Sequence, residues 1–191
     1  METAVSIALG IGLAAAAGFR VFIPLLALSI AGLTNTLELS QGFAWIGTIP
    51  ALIAFGTATV VEVAAYYIPW VDNILDSIAT PAAVVAGTIA SASVITDISP
   101  LLKWVLALIG GGGIAGLIQG ATVLARAKSS VVTAGLGNPV VATAELGGSI
   151  FTTVLSFLAP FLTIILVLLV CGLIFASARR LFFGHIGAPR E

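Results

Sequence analysis

Charge is the first thing this chain lacks. Only 8% of its 191 residues are Asp, Glu, Lys or Arg, against about 25% in an average globular domain. Its 7 basic and 8 acidic residues leave a net charge of -1, and no lysine- or arginine-rich run supplies a local positive field. Nucleic acid is therefore excluded as a partner. Sulfur is equally scarce. Cys171 is the only cysteine and sits in the apolar run LVLLVCGLIF, which rules out a disulfide framework and a cysteine metal site. The one histidine, His185, has no companion ligand near it, so no zinc site is expected in the tail. A serine elbow, a phosphate loop, a paired-histidine zinc motif and a dinucleotide fingerprint are all missing. No catalytic residue and no cofactor are expected, and an intramembrane enzyme is a reading without a motif behind it.

What the chain has in abundance is apolar length. It is 60% hydrophobic with a mean hydropathy of +1.22, the composition of an all-α, multi-pass membrane protein. A hydrocarbon core of about 30 Å needs about 20 apolar helical residues per crossing. The run from Thr3 to Leu33 is too long for one straight crossing and carries a breaker, Pro24, near its middle. AAAAG resembles a cleavage site, but without a basic leader the run is read as mature structure. A second span is expected from Phe43 to Tyr67, with Trp45 and Trp70 at the depths of an aromatic belt. Thr80-Pro81, Ser99-Pro100 and Asn138-Pro139 each place a side-chain acceptor before a proline, the pattern of a helix start. They predict spans from Pro81 to Thr96, from Pro100 to Lys128, and from Pro139 onward. The fourth is expected to bend or pack closely at Gly110 to Gly113, and its Gly112, Gly116 and Gly120 suit close helix contact within the chain or in a homo-oligomer. The apolar stretch from Pro139 to Ala178 must cross twice, with Pro160 as the reversal, unless its first part re-enters.

About six transmembrane helices follow, the first and fourth broken, in a single domain of residues 1–180 with a short basic tail, 181–191. The even count puts both termini on one side. Arg126, Lys128, Arg179, Arg180 and Arg190 fall there and only Lys103 opposite, so both termini are expected to be cytoplasmic in the cell membrane. The tail suits anionic headgroups. GLAAAAGFR and GLIQGATVLAR share a texture, as do TATVVEVAA and VATAELGGS. They suggest halves 1–98 and 99–180 related as a 3+3 inverted repeat of the kind many transporters use.

The few charges inside the apolar runs are the candidate site. An arginine at the bilayer centre costs about 2.5 to 3.5 kcal/mol on insertion scales, so Arg20 either pairs with a group inside the protein or snorkels to the headgroups. Pro24 cannot donate to the carbonyl of Arg20, which puts a free acceptor beside the cation. Glu62, with Tyr66 one turn later, is the first candidate partner. Glu145 lies two turns into the helix that begins at Asn138, where it either compensates the helix dipole or lines a pathway. Asp72, Asn73 and Asp76 share one face of a short helix, which is either a solvated face or a cation site.

The stretches AGFRVFIPLLAL, ALIAFGTATVVEVAAYYIPWVDNILDSIATPAAVVAGT, SPLLKWVLALIGGGGIAGLIQG and GLGNPVVATAELGGS resemble those of small bacterial multi-pass membrane proteins grouped as a domain of unknown function. That resemblance implies an integral membrane location and no substrate. The residues themselves suggest a transporter or channel for a small solute, ion or lipid headgroup. In it Arg20 would bind an anionic group, and Glu62 and Glu145 a cation or proton. A structural or assembly subunit of a membrane complex, whose buried charges only pair, is the other reading.

Overall fold

The structure is a computed structural model that describes residues 2–68 and 71–183; the side chains of Asn73, Ala178, Arg180 and residues 181–183 are outside that description. Trp70, His185 and Arg190 therefore lie outside the described residues, as does most of the expected basic tail. Among the described residues the chain is all helical. The helices are α1 (Thr3–Phe19), α2 (Phe22–Leu33), α3 (Ile49–Ala65), α4 (Val71–Val94), α5 (Pro100–Val105), α6 (Gly113–Thr133), α7 (Asn138–Leu158) and α8 (Pro160–Phe183). A 3-10 helix, Gln41–Gly47, leads into α3, and a π-helical stretch, Leu106–Gly112, joins α5 to α6. The combined helix Pro100–Thr133 has 34 residues, about 51 Å at about 1.5 Å per residue.

Four helical runs are long and apolar enough to cross a membrane, or up to five if the 3-10 helix and α3, bent by 66°, form one span. The protein is membrane-embedded by this measure, with fewer crossings than the six expected. The difference arises in the first run. Arg20 leaves helical geometry with φ -145° and ψ 124°, four residues ahead of Pro24, so the break falls where the proline removes a backbone donor. It reverses the chain. Glycine contacts and hydrogen bonds trace the directions: Gly10 packs on Ser91 and Val94 near the end of α4, while Gly18 packs on Ala115 and Ile118 of α6. Leu26 meets Gly56, and Gly32 meets Gly47. Ser40 then donates its N–H to Ser93 O, and Lys103 Nζ donates to Ser40 Oγ at 2.6 Å. Both α1, of 17 residues, and α2, of 12, thus lead away from Arg20 toward the Lys103 end of the bundle. Neither reaches the length of a full crossing.

Two further expectations change with this path. α8 begins beside Gly12 through Thr163, and its residues Leu173 and Ser177 lie with Leu124 and Lys128 of α6. The start of α1 and the last described turns of α8 therefore sit at opposite ends, not on one side. Moreover, α1 and α6 run in the same direction, since Ile11 faces Gly110 while Gly18 faces Ala115 and Ile118. An inverted repeat would make the two arginine-bearing helices antiparallel.

The proline-start pattern holds at Ser99, whose side chain accepts from Leu102 N. It fails at Thr80, because α4 begins at Val71 and simply contains Pro81. At Asn138 a helix does start, but Gly137 is the cap residue and the asparagine side chain is used elsewhere. Pro160 opens α8 after a break at Ala159, as expected. The centre of the bundle is a seam of small residues. Ser91 Oγ donates to Gly10 O at 2.8 Å, and a Cβ added at Gly111 would stand 2.7 Å from Gly87 O. The bend expected around Gly110 to Gly113 takes the form of the π-helical turn, which widens the coil at this contact. Gly112 and Gly116 face Val84 of α4, whereas Gly120 has open space beside it.

Candidate functional site

The site lies at the bundle end opposite Lys103, where α1 stops, α3 ends, α4 and α7 begin, and α6 nears its last turns. Arg20, at the apex between α1 and α2, is 1% exposed, so it does not snorkel. Its Nη2 donates to Ala142 O at 3.0 Å and stands 3.2 Å from Glu145 Oε2. The partner expected from the sequence was Glu62. That carboxylate instead accepts the backbone N–H groups of Val21 at 2.9 Å and Phe22 at 3.1 Å. The reversal explains the exchange, because it exposes the unpaired N–H groups of the first turn of α2, and Glu62 arrives on α3 to satisfy them. Glu62 is thus a helix cap supplied by a neighbouring helix.

Arg126 completes the cluster. It is as buried as Arg20, its Nη2 bonds both oxygens of Glu145, and its Nη1 is 2.9 Å from Asp76 Oδ1. Tyr66 presents its ring to both cations, with guanidinium carbons 3.8 Å (Arg20) and 4.2 Å (Arg126) from the centroid, within cation–π range. One carboxylate, Glu145, is shared by two guanidiniums in a region shielded from water, where an unpaired charge is costly. The donors are not all used. Nε and Nη1 of Arg20 and Nε of Arg126 are buried without a hydrogen-bond partner among the described residues.

The acidic face of α4 points inward as well. Asp76 joins Arg126, and Asp72 Oδ2 accepts from Asn138 Nδ2 at 2.7 Å, while Asn138 Nδ2 also reaches Ser130 Oγ at 2.9 Å. The side chain of Asn73 is not described. Among the described residues no group of three or more His, Cys, Asp or Glu is arranged to hold a metal, and Asp72 and Asp76 are used in pairing with Asn138 and Arg126. Pro24 is buried in the first turn of α2 and contributes the break, not a contact.

Arg126 was missed because it falls near the end of an apolar run, where a basic residue reads as a marker of the cytoplasmic side. A signal was nevertheless present. Ala115, Gln119, Thr122 and Arg126 recur at spacings of four, three and four, and all four are buried on one face of α6. The facing helix does the same throughout its length. Asn138, Glu145, Ser149, Thr152, Thr153 and Ser156 are buried on α7, whereas Val140, Ile150, Phe151, Val154 and Leu158 are exposed. Its polar face points in and its apolar face out, as a membrane requires of a helix with polar residues. Ser149 Oγ donates to Ala16 O at 3.0 Å, so the polar stripe lies along α1 below the arginines.

No curated protein and no solved structure matches the chain. Residues 7–180 match the family described as a domain of unknown function, DUF4126, so this membrane-embedded protein belongs to that family.

Proposed function

We propose that the protein is a transporter or channel for a small anionic solute in the cell membrane, with the Arg20–Glu145–Arg126 cluster as its binding centre. The observation that carries this reading is the buried polar face of α7, which begins at the cluster and continues through Ser149, Thr152, Thr153 and Ser156. From Glu145 to Ser156 it extends about 16 Å, roughly half the hydrocarbon core. A purely structural ion pair does not need hydroxyl groups at every following turn. Glu145 holds both guanidiniums. An anion entering the site, or a proton reaching Glu145, weakens that hold, and the unused N–H groups of Arg20 and Arg126 donate to the solute's oxygens. Glu62 fixes the apex through the first N–H groups of α2, and Tyr66 keeps both cations in register.

In this reading α3 to α8 make five crossings and α1 with α2 enter as a re-entrant pair from the Lys103 face. Lys128 and Arg179 lie on the cluster side, which becomes the cytoplasmic face, with the start of α1 opposite. The test is flux into proteoliposomes over a panel of chloride, phosphate and small carboxylates, with and without a pH gradient. Wild type should pass at least one anion, and Arg20→Lys, which loses the planar fork, should reduce that flux at least tenfold. Equal flux from the two proteins would overturn the reading. If no anion passes, and the protein purifies with a fixed membrane partner, the structural-subunit reading takes its place.

A further inference from the structure

A groove of about 800 Å³ runs along the outside of the bundle between α6 and α8. Gly116, Gly120, Leu124 and Lys128 line it from α6, and Leu173 and Ile174 from α8. Gly120 has nothing within 4 Å of where a side chain would begin, so the groove is open where it crosses that residue. The apolar window of α8 is only 11% buried, which leaves the α8 wall facing lipid. Thr80, Ser177 and Lys128 are its polar lining residues, and the others are apolar or glycine.

We propose that this groove binds one acyl chain of an anionic phospholipid, with the Lys128 ammonium on the lipid phosphate. Gly116 and Lys128 are separated by about 18 Å along α6, close to the roughly 15 Å of one hydrocarbon leaflet. The depth agrees with the sequence of α8. Its apolar run gives way to the exposed Arg179, and Ser177 lines the groove together with Lys128, which sets the headgroup level there. Arg126 precedes Lys128 by two residues, so it projects to the other side of α6, into the ion cluster. Lys128 is exposed and makes no ion pair among the described residues. An apolar trough ending in a free ammonium selects a lipid whose headgroup carries net negative charge, since a choline headgroup would set its own cation against the lysine. The groove and the arginine cluster use opposite faces of α6, so lipid binding does not depend on transport.

The experiment is native mass spectrometry of the purified chain exchanged with vesicles of equal phosphatidylglycerol and phosphatidylcholine of matched acyl chains. Wild type should retain phosphatidylglycerol about fivefold over phosphatidylcholine, the worth of one basic residue at an anionic surface. Lys128→Gln, at an exposed position, should bring the ratio close to one, while Arg179→Gln keeps it. Gly120→Leu should lose both lipids by filling the trough. The proposal is overturned by equal retention in wild type, by a preference that survives Lys128→Gln or vanishes with Arg179→Gln, or by recovery of free fatty acid in place of phospholipid.

Discussion

Two regions hold this bundle together by opposite means. At the seam of α1, α4 and the π-helical turn, side chains are almost absent: Gly10, Gly87, Gly111 and Ser91 let backbones approach, and dispersion does the work in a solvent that gives helices no hydrophobic reason to associate. At the cluster long charged side chains converge, and five residues from five segments meet around one shared carboxylate. The seam fixes where the helices are. The cluster makes sense only if something more than position is needed, because a buried ion pair is a poor source of stability compared with apolar packing. Substitutions should therefore affect stability at the seam through volume and at the cluster through unpaired charge, and only the cluster should be separable from stability.

The largest effect is expected from Glu145→Gln. It strips the shared carboxylate from two buried guanidiniums, and breaking a buried pair in this way costs about 3 to 5 kcal/mol. Thermal unfolding in detergent should show it as the lowest melting point of any single variant here. The contrast sharpens with the double variant Arg20→Met, Glu145→Met. Arg126 keeps Asp76 at 2.9 Å, charge balance is preserved, and most of the lost stability should return. Anion flux should not. A double variant that recovers neither would mean that the cluster is a packing element like the seam.

Next in size is Gly111→Val. Its Cβ would meet the backbone oxygen of Gly87 at 2.7 Å and the Ser91 side chain, and neither backbone can move without separating α4 from the π-helical turn. Overpacking of this kind costs about 1 to 3 kcal/mol. The same substitution at Gly120, where the space is open, should leave the melting point nearly unchanged. That pair of measurements isolates contact from helix propensity, since both positions are helical glycines.

How far the sequence disclosed these two regions follows from what each depends on. The breaks at Arg20 and at Ala159-Pro160, the irregularity at the glycine run and the membrane setting were legible, because each rests on local backbone chemistry or on total hydropathy. Arg20, Tyr66 and Glu145 were legible as residues out of place in an apolar run. Their pairing was not. Whether a proline break kinks a helix or reverses it is decided by what the next helix packs against, here the antiparallel contact of α2 with α3. Once the chain reverses, Glu62 is committed to the new helix start, and Arg20 must look to α7. Arg126 illustrates the converse problem, since charge near a helix end serves topology far more often than it enters a core, and only the spacing of Gln119 and Thr122 distinguishes the two.

A third, smaller effect tests the link between the regions. Glu62→Gln keeps one acceptor oxygen but turns an amide toward a backbone N–H at the start of α2. The expected cost is about 1 kcal/mol, the usual worth of a helix cap, with a local consequence that a thermal midpoint would barely register. Hydrogen exchange is the better measurement. Amides of Val21 and Phe22 should lose protection while those of the seam, such as Gly87 and Ala90, keep it. Loss of protection at both places would show that the apex and the seam open together.

The smallest effect is expected at the one polar contact inside the seam. Ser91→Ala removes the bond to Gly10 O, but that carbonyl lies inside α1 and keeps its own helical donor. Interhelical hydrogen bonds in membrane proteins average about 0.6 kcal/mol in double-mutant cycles, so the melting point should fall by no more than that implies. Ser91→Val changes the sign of the volume term: its branched side chain presses toward Gly111, where Ser91 is already in contact with the position a Cβ would take. If the seam is governed by volume, the valine variant should be clearly less stable than the alanine variant although both lack the hydroxyl. If the two are equal, the hydrogen bond sets the seam, and its distinction from the cluster becomes one of degree.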